Sequence, residues 1–301
     1  MTEESVGFDH KPTFLVTGAT SGVGEAIATQ LSERRARVII GARTTERGQA
    51  AADRIRSRVP DADLQVVAGD LSLMKEVRSL AYQIMDGTPR LDGLILNAAE
   101  AHSELMLTDE DIETNFATNH LAGFLLTHLL LPRLRSSAPA RVVAISSSVH
   151  TQVRMVDLTS VVTGAPLTPD SYRTSKLLNI LFVRELARRV EGIGITANAA
   201  DPGFVRTNLG RHATGGRRML QTVTRPMQSS AERAAATPVY LATSDEVAGV
   251  TGGYYANGHP IELGGLATND QLARKLWGVS AQALVTRRLA TLNEMIAFGG
   301  S

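Results

Sequence analysis

Short apolar runs alternate with helix-length segments along most of this chain, and that alternation constrains its fold more than any other feature. Phe14–Thr17 (FLVT) is compact and apolar and ends at a glycine-rich turn, after which a helix is expected over 24–32. Arg37–Ile40 (RVII), Leu64–Ala68 (LQVVA), Leu91–Leu96 (LDGLIL), Arg141–Ile145 (RVVAI) and Gly194–Ala199 (GITANA) repeat the pattern. Further helices are expected at 46–58, 72–86, 109–136, 172–191 and 231–243. Strands separated by helices imply a parallel sheet with helices on both faces, and right-handed crossovers make it doubly wound. One domain over 1–301 is expected, with a flexible N-terminus at 1–11, an irregular insertion at 204–230 and a helical tail at 265–301. Ligands of such sheets bind beyond the carboxyl ends of the strands, so chemistry is sought just after each strand.

Charge and cysteine content exclude several other classes. Lys plus Arg is 31 against 30 for Asp plus Glu, a net charge of +1, which argues against a dedicated nucleic-acid binder. Four of the basic residues are Lys and 27 are Arg. Residues 1–150 carry a net −4 and residues 151–301 a net +5. With no cysteine, thiolate catalysis, disulfides and Cys-ligated metal are ruled out, and a reducing, cytoplasmic setting suits the composition. The acidic start MTEESVGFDHK is not a secretory signal. No apolar run reaches the roughly 18 residues of a membrane span, so no transmembrane anchor is expected.

The turn after the first run reads Thr17-Gly18-Ala19-Thr20-Ser21-Gly22-Val23-Gly24. Its glycines allow a tight turn and close backbone approach, and the helix N-terminus behind them attracts a diphosphate. The spacing Gly-x-x-x-Gly-x-Gly differs from the usual dinucleotide fingerprint, and a plain strand–helix turn is the alternative. An acid near the end of the second strand would take the ribose 2′-OH of NAD, whereas an Arg accepts a 2′-phosphate. Here Arg43 follows the strand and no carboxylate occurs before Glu46. With Thr20 and Ser21 as hydroxyl donors, NADP(H) is expected in preference to NAD(H), the alternative being a solvated Arg.

Tyr172-Arg173-Thr174-Ser175-Lys176 places a phenol and an ammonium at i and i+4, on one helix face. A neighbouring cation favours phenolate and is expected to lower the Tyr172 pKa toward neutrality, where a tyrosine works as acid or base. A surface Tyr–Lys pair is the plainer alternative. Ser147 follows the fifth strand directly and is placed to polarise a carbonyl, or to cap a loop.

Together these residues resemble the short-chain dehydrogenase/reductase family, over roughly 12–280. The quoted parts occur in family order: TGATSGVG at 17–24, Asp70-Leu71, Asn97-Ala98-Ala99, Asn119, Ser147, YRTSK at 172–176 and DPGFVRT at 201–207. The resemblance implies a Rossmann-type doubly wound sheet of about seven strands and hydride transfer to or from a nicotinamide. It implies adenine held by Asp70 and the Leu71 backbone, and adenosine ribose lined by Asn97 and Ala98. It further implies carboxamide contacts from the Val205 backbone and Thr207 after the Pro202-Gly203 turn. Tyr172 would be the general acid, Ser147 its partner on the substrate oxygen, and Lys176 the group that lowers the Tyr172 pKa and holds the nicotinamide ribose. Asn119 would support a water linking Lys176 to solvent.

The 25-residue spacing from Ser147 to Tyr172 and the PVYLATSDEVAGVTGGYY and ARKLWGVS segments resemble the retinol-dehydrogenase-like branch, which is also similar to protochlorophyllide reductases. That implies a small, apolar carbonyl or alcohol substrate. Alternatives are C=C reduction and a non-catalytic NADP-binding sensor or scaffold. Leu96 and Ala99 depart from the family's Asn-Asn-Ala-Gly, and Leu96 is expected to alter hydrogen bonding in the sheet. Residues 204–230 are expected to form an Arg-rich substrate lid, and helices 109–136 and 172–191 to pair two copies into a homodimer. His120, His128 and His150 have no metal-ligand spacing and are expected to be structural.

Overall fold

A computed structural model of the protein describes residues 10–102, 104–160, 170–203 and 230–296. Eight strands form one sheet: β1 (Thr13–Thr17), β2 (Arg37–Ala42), β3 (Asp63–Ala68), β4 (Gly93–Leu96), β5 (Ala140–Ile145), β6 (Ile195–Asp201), β7 (Tyr254–Ala256) and β8 (His259–Pro260). Their order is β3-β2-β1-β4-β5-β6-β7-β8. Pairing is parallel throughout except for β7 with β8. The chain reverses its direction of winding between β1 and β4, and a crevice opens there at the carboxyl edge.

Side chains alternate across the sheet. Leu15, Ile39, Leu94, Leu96, Val142, Ala144 and Ala197 face one apolar cluster. Phe14, Val16, Val38, Ile40, Ile95, Val143 and Ala200 face the other. The first cluster is closed by α3 (Met74–Gly87), α5 (Ala122–Ser136), α6 (Ser171–Arg189) and α8 (Asp270–Thr286); the second by α1 (Gly22–Glu33), α2 (Thr45–Arg58) and α7 (Ala231–Thr243). Apolar faces on both sides explain why the strand segments read as unbroken apolar runs.

The doubly wound sheet is as expected, its eight strands including a three-residue β7 and a two-residue β8 too short to leave a pattern in the sequence. The structure corrects the sequence reading in two places. The helix expected at 109–136 begins only at α4 (Thr114–Phe116) and continues through a π turn (Ala117–Leu121) into α5. Before it, the Thr108 hydroxyl accepts from the amides of Glu110 and Ile112, a local arrangement that competes with helix. Leu96 leaves the sheet intact: β4 pairs with β5 through Leu96 and Ala144, and the Leu96 side chain joins the core. Within the expected flexible N-terminus, His10 is tied to Asp92 at 2.8 Å and Lys11 to Asp63 at 2.7 Å; residues 1–9 lie outside the described residues. Toward the C-terminus, α8 is followed by α9 (Leu292–Ile296). Residues 204–229, most of the expected lid with Val205 and Thr207, lie outside the described residues.

Candidate active site

The glycine turn sits at the carboxyl end of β1. Gly18 and Gly22 have φ of 63° and 58°, a region open chiefly to glycine. Gly24 has another constraint, since a Cβ there would lie 2.3 Å from the Gly18 carbonyl oxygen and 2.4 Å from Asn97 Nδ2. The turn is thus packed against β4, and Asn97 fastens it. Its Nδ2 donates to the Thr17 and Gly18 carbonyls at 2.9 and 3.2 Å, and the amides of Asn97 and Ala98 donate to Thr17 Oγ1. Ser21, at the N-cap of α1, makes no side-chain cap. Thr44, Asp170, Ser230 and Asn269 do cap α2, α6, α7 and α8, and Glu110 accepts from the first amides of α3. An uncapped helix start behind a tight glycine turn fits a diphosphate.

Arg43 follows β2 and lies half exposed. It pairs through Nη2 with Glu100 and through Nε with Asp70 at 3.4 Å. Asp70 also accepts from the Ser72 amide at 2.9 Å. Leu71 packs against the first apolar cluster.

The other part of the site lies deeper, with Lys176 and Asn119 buried and Ser147 and Tyr172 half-buried. Ser147 caps a short 3₁₀ segment (Ser148–Gln152) and accepts from the Val149 amide, which leaves its hydroxyl hydrogen available. Lys176 is 3% exposed, and its Nζ lies 5.5 Å from the Tyr172 ring centroid and donates to the Ile145 carbonyl at 3.4 Å. The two residues share one helix face as their spacing predicts. The direction of the Tyr172 pKa is the reverse of the expectation. Burial, helped by the charges of Asp201 and Asp170, pushes the phenol up to about 12. Burial also pulls Lys176 down to about 8 against the attraction of Asp201. For both groups loss of hydration is the largest influence.

A sequence model described as short chain dehydrogenase matches residues 12–217. The chain belongs to the short-chain dehydrogenase family. Within it the chain falls in the retinol-dehydrogenase-like branch. It is 39% identical over 289 residues to retinol dehydrogenase 14 of Mus musculus, covering 91% of this chain and 86% of that protein. It is 41% identical over 276 residues to dehydrogenase/reductase SDR family member 13 of Bos taurus, covering 89% and 72%. Among solved structures, an uncharacterized protein from Mycobacterium paratuberculosis superposes with a TM-score of 0.73 at 31% identity, over 94% of this chain and 97% of that one. The RhlG/NADP active-site complex of Pseudomonas aeruginosa gives a TM-score of 0.67 at 28% identity, over 84% and 96%.

This short-chain dehydrogenase places two residues around Asn119 and Ser147 that its sequence did not single out, Asn115 and Asp201. Asn119 accepts from the Glu100 amide at 2.7 Å and donates to the Glu100 carbonyl at 2.8 Å and to Ser175 Oγ at 3.0 Å. Asn115, one turn earlier, repeats the arrangement on His102 and on Ser171 Oγ. Two side-chain amides thus bind the segment 100–102 as a neighbouring strand would, and dock it onto the helix carrying Tyr172 and Lys176. Asn119 lies within the π turn Ala117–Leu121, and such turns recur at functional sites. The signal for Asn115 was its four-residue spacing from Asn119.

Asp201 is the second unforeseen residue. It is 6% exposed and accepts from the amides of Ser148 at 2.7 Å and Gly203 at 2.8 Å, and from the Tyr254 hydroxyl at 2.8 Å. It therefore ties the Ser147 loop, the Pro202-Gly203 turn and β7 together. His120 and His128 are buried in the core. Burial pulls them down to about 3 and about 4, and both stack in a cluster with Phe124, Phe182 and Trp277. Among the described residues no cluster suited to a metal ion exists, and no helix is long and apolar enough to cross a membrane. The chain's own α8 packs on α5 and α6. Trp277 enters that cluster, Ser280 bonds His120, and Asp270 pairs with Arg184 and Arg188.

Proposed function

We propose that this protein is an NADP(H)-dependent oxidoreductase acting between a carbonyl and an alcohol of a small apolar substrate. The observation that carries this reading is the Tyr172–Lys176 pair, with the ammonium buried and the half-buried phenol keeping its proton to about 12. A protonated phenol is the form that donates to a substrate oxygen. The cofactor, when bound, supplies or accepts a hydride. Gly18, Thr20, Ser21, Gly22, Val23 and Gly24 would hold its diphosphate, Arg43 its 2′-phosphate, Asp70 and Leu71 its adenine, and Asn97 and Ala98 its ribose. Pro202, Gly203, Val205 and Thr207 would hold the nicotinamide end.

In reduction, Ser147 Oγ donates a hydrogen bond to the substrate oxygen and polarises it. Tyr172 Oη gives its proton to that oxygen and becomes phenolate. Lys176, still cationic below about pH 8, stabilises that phenolate, and a water on the Asn119 carbonyl returns the proton. Oxidation runs the same groups in reverse. A panel of aldehydes, ketones and enones with NADPH, followed by absorbance, tests the reaction. Turnover of enones alone would replace this reading with C=C reduction. Arg43→Glu should weaken NADPH binding about tenfold or more and NADH binding far less; equal losses would remove the NADP preference.

A further inference from the structure

The Arg43–Glu100 pair crosses the crevice in which a dinucleotide must lie. Arg43 follows β2 and Glu100 follows β4, and β1 lies between them in the sheet. Two strand spacings separate those edges, about 10 Å. The pair therefore spans the carboxyl end of β1, above the Thr17–Gly24 turn.

The two partners are held differently. The backbone of Glu100 is gripped on both sides by Asn119, and its Oε2 lies 3.0 Å from His102 Nε2. Arg43 is a long, half-exposed side chain whose second partner, Asp70, lies 3.4 Å away. Glu100 is thus the fixed post and Arg43 the movable arm.

We propose that Glu100 sets the protein's affinity for 2′-phosphorylated dinucleotides by competing with that phosphate for Arg43. This rests on the NADP(H) reading above. A carboxylate and a phosphate both take an Arg fork in bidentate fashion, and one guanidinium cannot serve both fully. Binding of the 2′-phosphate exchanges one anion for another on Arg43, and the displaced Glu100 carboxylate then lies near a like charge. A dinucleotide without the 2′-phosphate offers Arg43 nothing in exchange, so Glu100 acts mainly on the phosphorylated ligand.

The test is calorimetric titration with 2′,5′-ADP and with 5′-ADP, which report the adenosine end without any turnover. The expected result is that Glu100→Gln tightens 2′,5′-ADP binding about three- to tenfold and leaves 5′-ADP within about twofold. The gain should shrink at high salt, because the pair is partly exposed. On an Arg43→Ala background the same substitution should give a markedly smaller gain. If Glu100→Gln leaves 2′,5′-ADP unchanged while Arg43→Ala weakens it, the competition is overturned and the NADP reading stands. If both probes tighten equally, Glu100 is a general obstruction and the proposal is also overturned. If the wild-type protein binds 5′-ADP as well as 2′,5′-ADP and Arg43→Ala changes neither, the NADP reading itself falls. Glu100→Asp, which keeps the charge on a shorter arm, should lie between wild type and Glu100→Gln. Thermal melts of each variant report folding.

Discussion

The two halves of the carboxyl edge handle charge in opposite ways. On the β1–β3 side, charged groups meet near solvent: Arg43 with Asp70 and Glu100, and Arg54 with Glu25. On the β4–β7 side, Lys176, Asp201, Asn115 and Asn119 are nearly inaccessible and have fixed partners drawn from several elements. Exposed pairs are weak and exchangeable, which suits a surface that must receive and release a charged ligand. Buried polar groups are costly to leave unpaired, which fixes their geometry and lets burial dominate their proton affinities.

The largest expected effect falls in the buried half. Tyr172→Phe should lower turnover by about 10²- to 10⁴-fold while circular dichroism and the melting temperature stay close to wild type. Unchanged turnover would end the catalytic assignment. Trp277→Ala should cost about 3–5 kcal/mol, because its ring fills a cluster shared by α5, α6 and α8. Urea unfolding measures that, and light scattering of the same samples reports whether the uncovered face then draws two copies together.

What could be read from the amino acids follows the same division. The strands, the glycine turn, Arg43 and the Tyr172–Lys176 spacing are local signals, each carried by a few adjacent residues. The lysine shortage helped, since Lys176 is one of only four. Asn115, Glu100 and Asp201 matter through partners 13 to 57 positions away, and no local pattern announces such partners. The Tyr172 pKa was misjudged because sequence displays the neighbouring cation but not the depth of burial. The packing of α8 on α6 was not legible, because a helix that begins at Asp270 leaves no mark on a helix that ends at Arg189. The turn at 108–113 overrode a helical pattern through the Thr108 hydroxyl.

Asp201→Asn probes how far burial governs titration. Lys176 gives up its proton as pH rises through about 8, whereas Tyr172 keeps its own to about 12. A fall in kcat/KM for reduction above about pH 8 therefore belongs to Lys176. Removing the Asp201 charge removes a contribution that raises both values, so this limb should move to lower pH. A profile that stays in place would show that Asp201 does not act on Lys176. The variant should also lose about 1–3 kcal/mol of stability, since an amide has one acceptor oxygen for two backbone N–H groups.

Asn115→Ala removes one rung between the segment 100–102 and α6. We expect a loss of about 1–3 kcal/mol and reduced turnover, with Asn115→Asp restoring less than half of it because a carboxylate cannot donate to the His102 carbonyl. The smallest effect is expected at an exposed pair on the opposite, amino edge of the sheet. Lys11→Met breaks an ion pair whose side chains are 54% and 41% exposed, and should change stability by less than about 1 kcal/mol. A loss there as large as that of Asn115→Ala would erase the contrast between exposed and buried polar groups.

The π turn at Ala117–Leu121 also bears on which changes of length this helix tolerates. Each residue of an α-helix advances the facing by about 100°. The turn holds one residue more than an α-helical path would need, and that surplus lets Asn115 and Asn119 grip segment 100–102 while Phe124 and His128 face the aromatic cluster. Deleting any single residue of the turn would straighten the helix and rotate one of those two sets away from its partners. The segment is therefore constrained in reading frame more tightly than in composition: an insertion or deletion here reorients a whole face, whereas a substitution alters one contact.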